Sequence, residues 1–160
     1  MLFTTIVGDL QSSLRADLAQ IRFFLKKNPA QGYARITEIG HRVGERYGIR
    51  LVVNFPHEGR IDEHEMYGRR DLSLIIDQKK TRFPIDREII KEKAAELIGG
   101  VRTEDAYMYD GKEGVRLLFE NGRIDILPHS VHVWCEFTEG VTRFCDWLLE
   151  AVYLLGPERA

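Results

Sequence analysis

Apolar residues recur along the first part of the chain with a helical period. Leu10, Leu14, Leu18, Ile21 and Leu25 fall three or four apart with Gln11, Ser12, Arg15, Asp17 and Gln20 between them, which predicts one amphipathic helix. Lys26, Lys27, Asn28 and Pro29 supply a cationic last turn and a stop. Ile36, Ile39, Val43 and Tyr47 define a second helical face that ends at Gly48, so residues 1–48 read as a helical hairpin turning around Pro29 to Gly32. The period then changes. Ile49 to Phe55, closed by Pro56, and Asp71 to Asp77, with Leu72, Leu74, Ile75 and Ile76, read as strands separated by a polar loop. Asp86 after Pro84 is placed to cap a third helix whose Ile89, Ile90, Ala94, Leu97 and Ile98 form its apolar face before Gly99-Gly100.

The strongest local signal lies between Val115 and Leu127. Two alternating runs flank Asn121-Gly122, a pair suited to a two-residue type I′ hairpin, which predicts Glu120 opposite Arg123, Phe119 opposite Ile124 and Leu117 opposite Ile126. A further strand, Val131 to Phe137, alternates Val131, Val133, Cys135 and Phe137 with His132, Trp134 and Glu136. Thr138 is then placed to cap a last helix carrying Val141, Phe144, Cys145, Leu148, Val152 and Leu155 inward, ended by Gly156-Pro157. The order is α-α-β-β-α-β-β-β-α, with room for a short extra strand at Ala106 to Tyr109. It specifies an α+β fold: an antiparallel β-meander sheet packed against helices, in one domain over 1–160, with 49–160 as the sheet portion.

Composition narrows the function classes. The chain has 160 residues, 44% hydrophobic and 30% charged, with 25 acidic residues nearly balancing 23 basic ones. That length buries a core without staples, and that charge balance provides no overall basic field, which argues against nucleic acid as a partner. Cys135 and Cys145 are ten apart without CxxC spacing, which predicts two buried thiols in a reducing compartment. The residues after Met1 do not form a signal peptide and no apolar run approaches a membrane span, so a cytoplasmic location with no membrane partner is expected.

Candidate chemistry is sparse. Asp71 and Asp77, with Gln78-Lys79, invite comparison with metal-dependent nucleases, but on one strand the two carboxylates stand roughly 20 Å apart. A metal reading would instead draw Asp62 or Glu65 to Asp77 and Lys79, against the simpler reading of charged strand ends. His57, His64, His129 and His132 match no ligand spacing and read as surface or interface histidines. Arg69, Arg70, Lys79, Lys80 and Arg82 cluster at the two ends of the second strand, where an anion such as a phosphorylated small molecule could be held, though Asp62, Glu63, Glu65, Asp71 and Asp77 are interspersed. Gly40, Gly44 and Gly48 are four apart on a helix, which points to close helix packing rather than a nucleotide loop. Trp134, beside His132 and Glu136 on the outward parity of its strand, marks a candidate interface, unless a helix covers that face as well.

From Asp71 onward the order strand, helix, three strands, helix resembles the C-terminal domain of the phosphohexomutases, the phosphoglucomutase and phosphomannomutase family. The resemblance is carried by Tyr109-Asp110-Gly111, by Gly114 to Gly122, by Ile126-Leu127-Pro128-His129-Ser130 and by Val133 to Phe137. It implies a fold, and it makes His129 and Ser130 remnants of a phosphate site. The family's phosphate loop is not matched, since Leu127 stands where its arginine would be, so mutase activity is not implied.

Taken together, the residues lead to a non-catalytic binding or interaction module, with a protein partner or self-association as a homodimer and no cofactor. The rival expectation is an enzyme: a metal-dependent phosphodiesterase or nuclease, or an accessory domain of a sugar-phosphate enzyme.

Overall fold

The computed structural model describes residues 2–53, 71–77, 85–120, 122–136 and 138–154. Three helices come first, α1 (Leu2–Ala16), α2 (Leu18–Lys27) and α3 (Pro29–Arg46), then β1 (Arg50–Val53) and β2 (Asp71–Asp77). They are followed by α4 (Arg87–Leu97), β3 (Arg102–Tyr109), β4 (Lys112–Phe119), β5 (Gly122–Ile126), β6 (Ser130–Glu136) and α5 (Glu139–Trp147), which continues as a π-helical segment, Leu148–Leu154. The strands form one antiparallel sheet in the order β1-β2-β6-β5-β4-β3. The α+β architecture expected from the sequence is the one observed.

The single helix expected across Leu10 to Leu25 is two. Its apolar stripe reaches back to Phe3 and Ile6, both buried, and the chain breaks at Asp17. Asp17 occupies the N-cap position of α2 without a side-chain cap bond, because its carboxylate accepts from Arg35 of α3 at 2.7 Å, with Arg42 at 3.8 Å. Alternation and charge therefore locate the stripe but not the break, which a long-range ion pair holds. The α3 N-terminus also moves: Pro29 is its N1 residue, where the missing N–H costs nothing, so the turn is at Asn28.

Gly40 and Gly44 pack close, but against a strand. A Cβ on Gly44 would lie 2.6 Å from the Ile49 carbonyl oxygen and 3.0 Å from the Leu51 nitrogen, so α3 rides directly on the β1 backbone. Capping of α4 by Asp86 (to Glu88 and Ile89 nitrogens, 3.1 and 3.3 Å) and of α5 by Thr138 (to Val141 nitrogen, 3.2 Å) follows the sequence reading. Within α4, Ile90 and Ala94 are buried while Ile89 faces outward.

The β4–β5 hairpin is shifted by two residues from expectation. Phe119 pairs with Gly122, Leu117 with Ile124 and Val115 with Ile126, so the loop falls between Phe119 and Gly122. Gly122 is spent on packing rather than on the turn: a Cβ there would meet Cys135 Cβ at 2.5 Å and the Phe119 ring at 2.7 Å. A hairpin turn with positive φ at both central positions forms instead at Asp110 (50°) and Gly111 (75°), joining Tyr109 to Lys112 between β3 and β4. The strand expected at 106–109 accordingly extends over Arg102–Tyr109.

One sheet face carries Leu51, Leu72, Leu74, Ile76, Val115, Leu117, Ile124, Ile126, Val131, Val133 and Cys135 into a single hydrophobic cluster with Phe3, Ile6, Ile36, Ile39, Phe144 and Leu148 of the helices. The first and last helices are tied where the Phe3 N–H donates to Asp146 of α5. Both cysteines are buried unbridged thiols. Among the described residues, no helix is long and apolar enough to cross a membrane.

Candidate functional site

The second face of the sheet is the candidate site. Strand parity and register set two rows of side chains across all six strands. In the first, Arg50, Ile75, His132, Asp125, Arg116 and Glu104 are successive cross-strand neighbours. In the second, so are Val52, Ser73, Trp134, Arg123, Leu118 and Arg102. None of the apolar members of these rows, Val52, Ile75, Leu118 or Trp134, joins the core cluster or packs against it. Trp134 is 45% exposed near the middle of this face, and among the described residues no helix buries it.

Asp125 is the exception to the polarity of that face, because it is a charge that is only 5% exposed. Arg116 Nε and Nη2 donate to its two carboxylate oxygens at 2.8 and 3.3 Å, a forked geometry worth more than a single contact. Arg123 lies 3.7 Å from the same carboxylate and holds its guanidinium 5.6 Å from the centre of the Trp134 ring. A chain of contacts thus runs Arg116, Asp125, Arg123, Trp134, fixing the indole by a cation–π contact rather than by burial.

His132 stands opposite Asp125, half-buried. Burial lowers its pKa from 6.5; Asp77 and Asp125 oppose that shift, and Arg50 and Arg123 add to it. The Ser130 hydroxyl is 3.5 Å from His132 Nε2, and Ser130 itself is buried opposite Asp77 at the start of β6, after a tight turn in which Leu127 N–H donates to the Ser130 carbonyl at 2.8 Å. Ser, His and Asp therefore come together on this face. The Ser–His separation exceeds that of an activated nucleophile, however, and the Asp125 carboxylate is engaged by the two arginines.

The structure brings together Trp134, His132, Ser130 and Asp77 of the residues singled out in the sequence, with His129 in the adjoining turn. Asp71 and Asp77 are at opposite ends of one continuous strand, as the spacing required. Arg69, Arg70, Lys79, Lys80, Arg82, Asp62, Glu65, His57 and His64 lie outside the described residues. Among the described residues, no group of three or more His, Cys, Asp or Glu side chains could hold a metal ion. Sequence reasoning missed Asp125, Arg116 and Arg123.

Comparison of the chain with protein-family models, with curated proteins and with solved structures finds no match in any of the three.

Proposed function

We propose that the chain is a non-catalytic interaction module that docks a protein surface on the face of its sheet opposite the core, with Trp134 as the anchor. The observation that carries this reading is the indole itself, held in a fixed orientation by Arg123 yet 45% exposed at the centre of a six-stranded sheet. Covering the remaining exposed part of such a ring is worth on the order of 2–3 kcal/mol, and tryptophan and arginine are the residues that most often dominate interfaces. The groups around it support docking rather than chemistry, since Asp125 is neutralised by Arg116 and Arg123 and is not available as a base.

Among the described residues three other large apolar side chains are exposed, Phe23, Ile89 and Met108, and they provide the control. A photo-crosslinking amino acid at Glu136, which shares the Trp134 face, should give one discrete adduct in cells, lost on Trp134→Ala. The same group at Glu88, beside Ile89, or at Lys26, near Phe23, should give none. Adducts at those control positions and not at Glu136 would place the docking surface on the helices and refute this reading.

A further inference from the structure

We propose that the occupant of this face is a second copy of the chain, packed sheet to sheet about a two-fold axis that runs parallel to the strands between β5 and β6. The inference rests on the docking face just described and adds its partner and register.

The argument is the order of charges across the sheet. The axis reverses strand order, so each row meets itself read backwards. Arg50 then faces Glu104 of the other copy, His132 faces Asp125, and Ile75 faces Arg116, with no like charges opposed. In the second row Trp134 falls on Arg123 of the other copy, extending across the interface the cation–π contact already made within each protomer. The alternative two-fold in the sheet plane, across the strands, pairs Glu104 with Arg102 and Asp125 with Arg123, but it sets Trp134 against His132 in place of Arg123 and leaves Arg50 against Val52, as the first axis leaves Arg102; only the first axis makes the Arg50–Glu104 contact. Packing of aligned sheets turns the outer Arg50–Glu104 pairs out of register by about 30°, an offset that these long side chains can span.

The central carboxylate does not oppose association. Asp125 is desolvated within the protomer by Arg116 and Arg123, so its dehydration belongs to folding and not to docking. The face spans five inter-strand spacings, about 24 Å, which is at the small end for a stable interface. The dimer is therefore a reversible one, and its concentration range matters.

Sedimentation equilibrium of the whole chain, from micromolar to millimolar, tests the proposal with Arg50→Glu, Glu104→Arg and the double swap. Arg50 and Glu104 are both exposed, so each variant keeps the fold, which circular dichroism checks. Each single swap reverses both copies of one contact and should weaken association about tenfold to a hundredfold, and the double swap should bring it back to within about threefold of the starting protein. If the double swap stays as weak as the singles while Trp134→Ala also dissociates the dimer, the face is right and this register is wrong. If the unaltered chain stays monomeric at millimolar concentration, a second copy is not the occupant, and the docking reading then stands or falls on the crosslinks.

Discussion

His132 is half-buried among charges of both signs, and its lowered pKa ties this face to the stability of the protomer. In the unfolded chain the imidazole titrates near 6.5; in the folded chain burial depresses that value against the pull of Asp77 and Asp125. Between the two values the unfolded state binds more protons, so stability rises with pH through that window and is lost as pH falls below 6.5. Melting temperatures measured from pH about 7.5 down to about 5 should fall more steeply for the unaltered chain than for His132→Gln, whose side chain does not titrate. Equal slopes would show that His132 protonates in the fold as freely as in the open chain. The neighbouring Asp125 explains why the site was only partly legible. Trp134 and His132 could be placed by parity within one strand, which needs no partner. The Arg116–Asp125 pair is a relation between strands, and the hairpin register expected from Asn121-Gly122 set Asp125 against Leu118 instead.

At the level of elements, glycine carries the information that periodicity does not. Asn-Gly is a strong turn signal, yet Gly122 is used because a Cβ would strike Cys135 and Phe119, and a hairpin turn with two positive φ values forms at Asp110-Gly111. Shifting a hairpin by two residues keeps every side chain on its own face, which is why the core was read correctly while the register was not. The helices show the same division: their stripes were legible, and the break at Asp17 was not, because Arg35, 18 residues away, holds it. Two glycines in helices separate packing from propensity. Gly8, exposed in α1, has nothing within 4 Å of the point where a Cβ would stand, so Gly8→Ala should stabilise the chain by about 0.5–1 kcal/mol. Gly44→Ala would press a methyl group onto the Ile49 carbonyl at 2.6 Å and should cost about 1–3 kcal/mol through separation of α3 from β1. Denaturant midpoints of the two variants should move in opposite directions; a neutral Gly44→Ala would mean that α3 does not rest on the strand.

At the scale of the whole molecule, the core is one cluster drawn from both ends of the chain, and the Phe3–Asp146 contact fastens α1 to α5. Such an arrangement should open as a unit, and the two thiols report on whether it does. Cys135 lies on the inner face of β6 and Cys145 on α5, both buried, and burial pushes the Cys145 thiol well above its usual range, with smaller contributions from Cys135 and Asp146. Reaction with an alkylating reagent therefore requires opening, because the folded chain buries both thiols and burial also disfavours the Cys145 thiolate. For a cooperative domain both thiols should be alkylated at the same rate, at least about a thousandfold slower than in denaturant, since each waits for the same rare unfolded state. The alternative is local: α5 could lift away while the sheet stays closed. Peptide mass spectrometry of a labelling time course would then find Cys145 modified well ahead of Cys135. Gly8→Ala sharpens the distinction, since slowing both thiols together would mean that α1 and α5 open only with the sheet, whereas slowing neither would mean that the last helix detaches independently of the first.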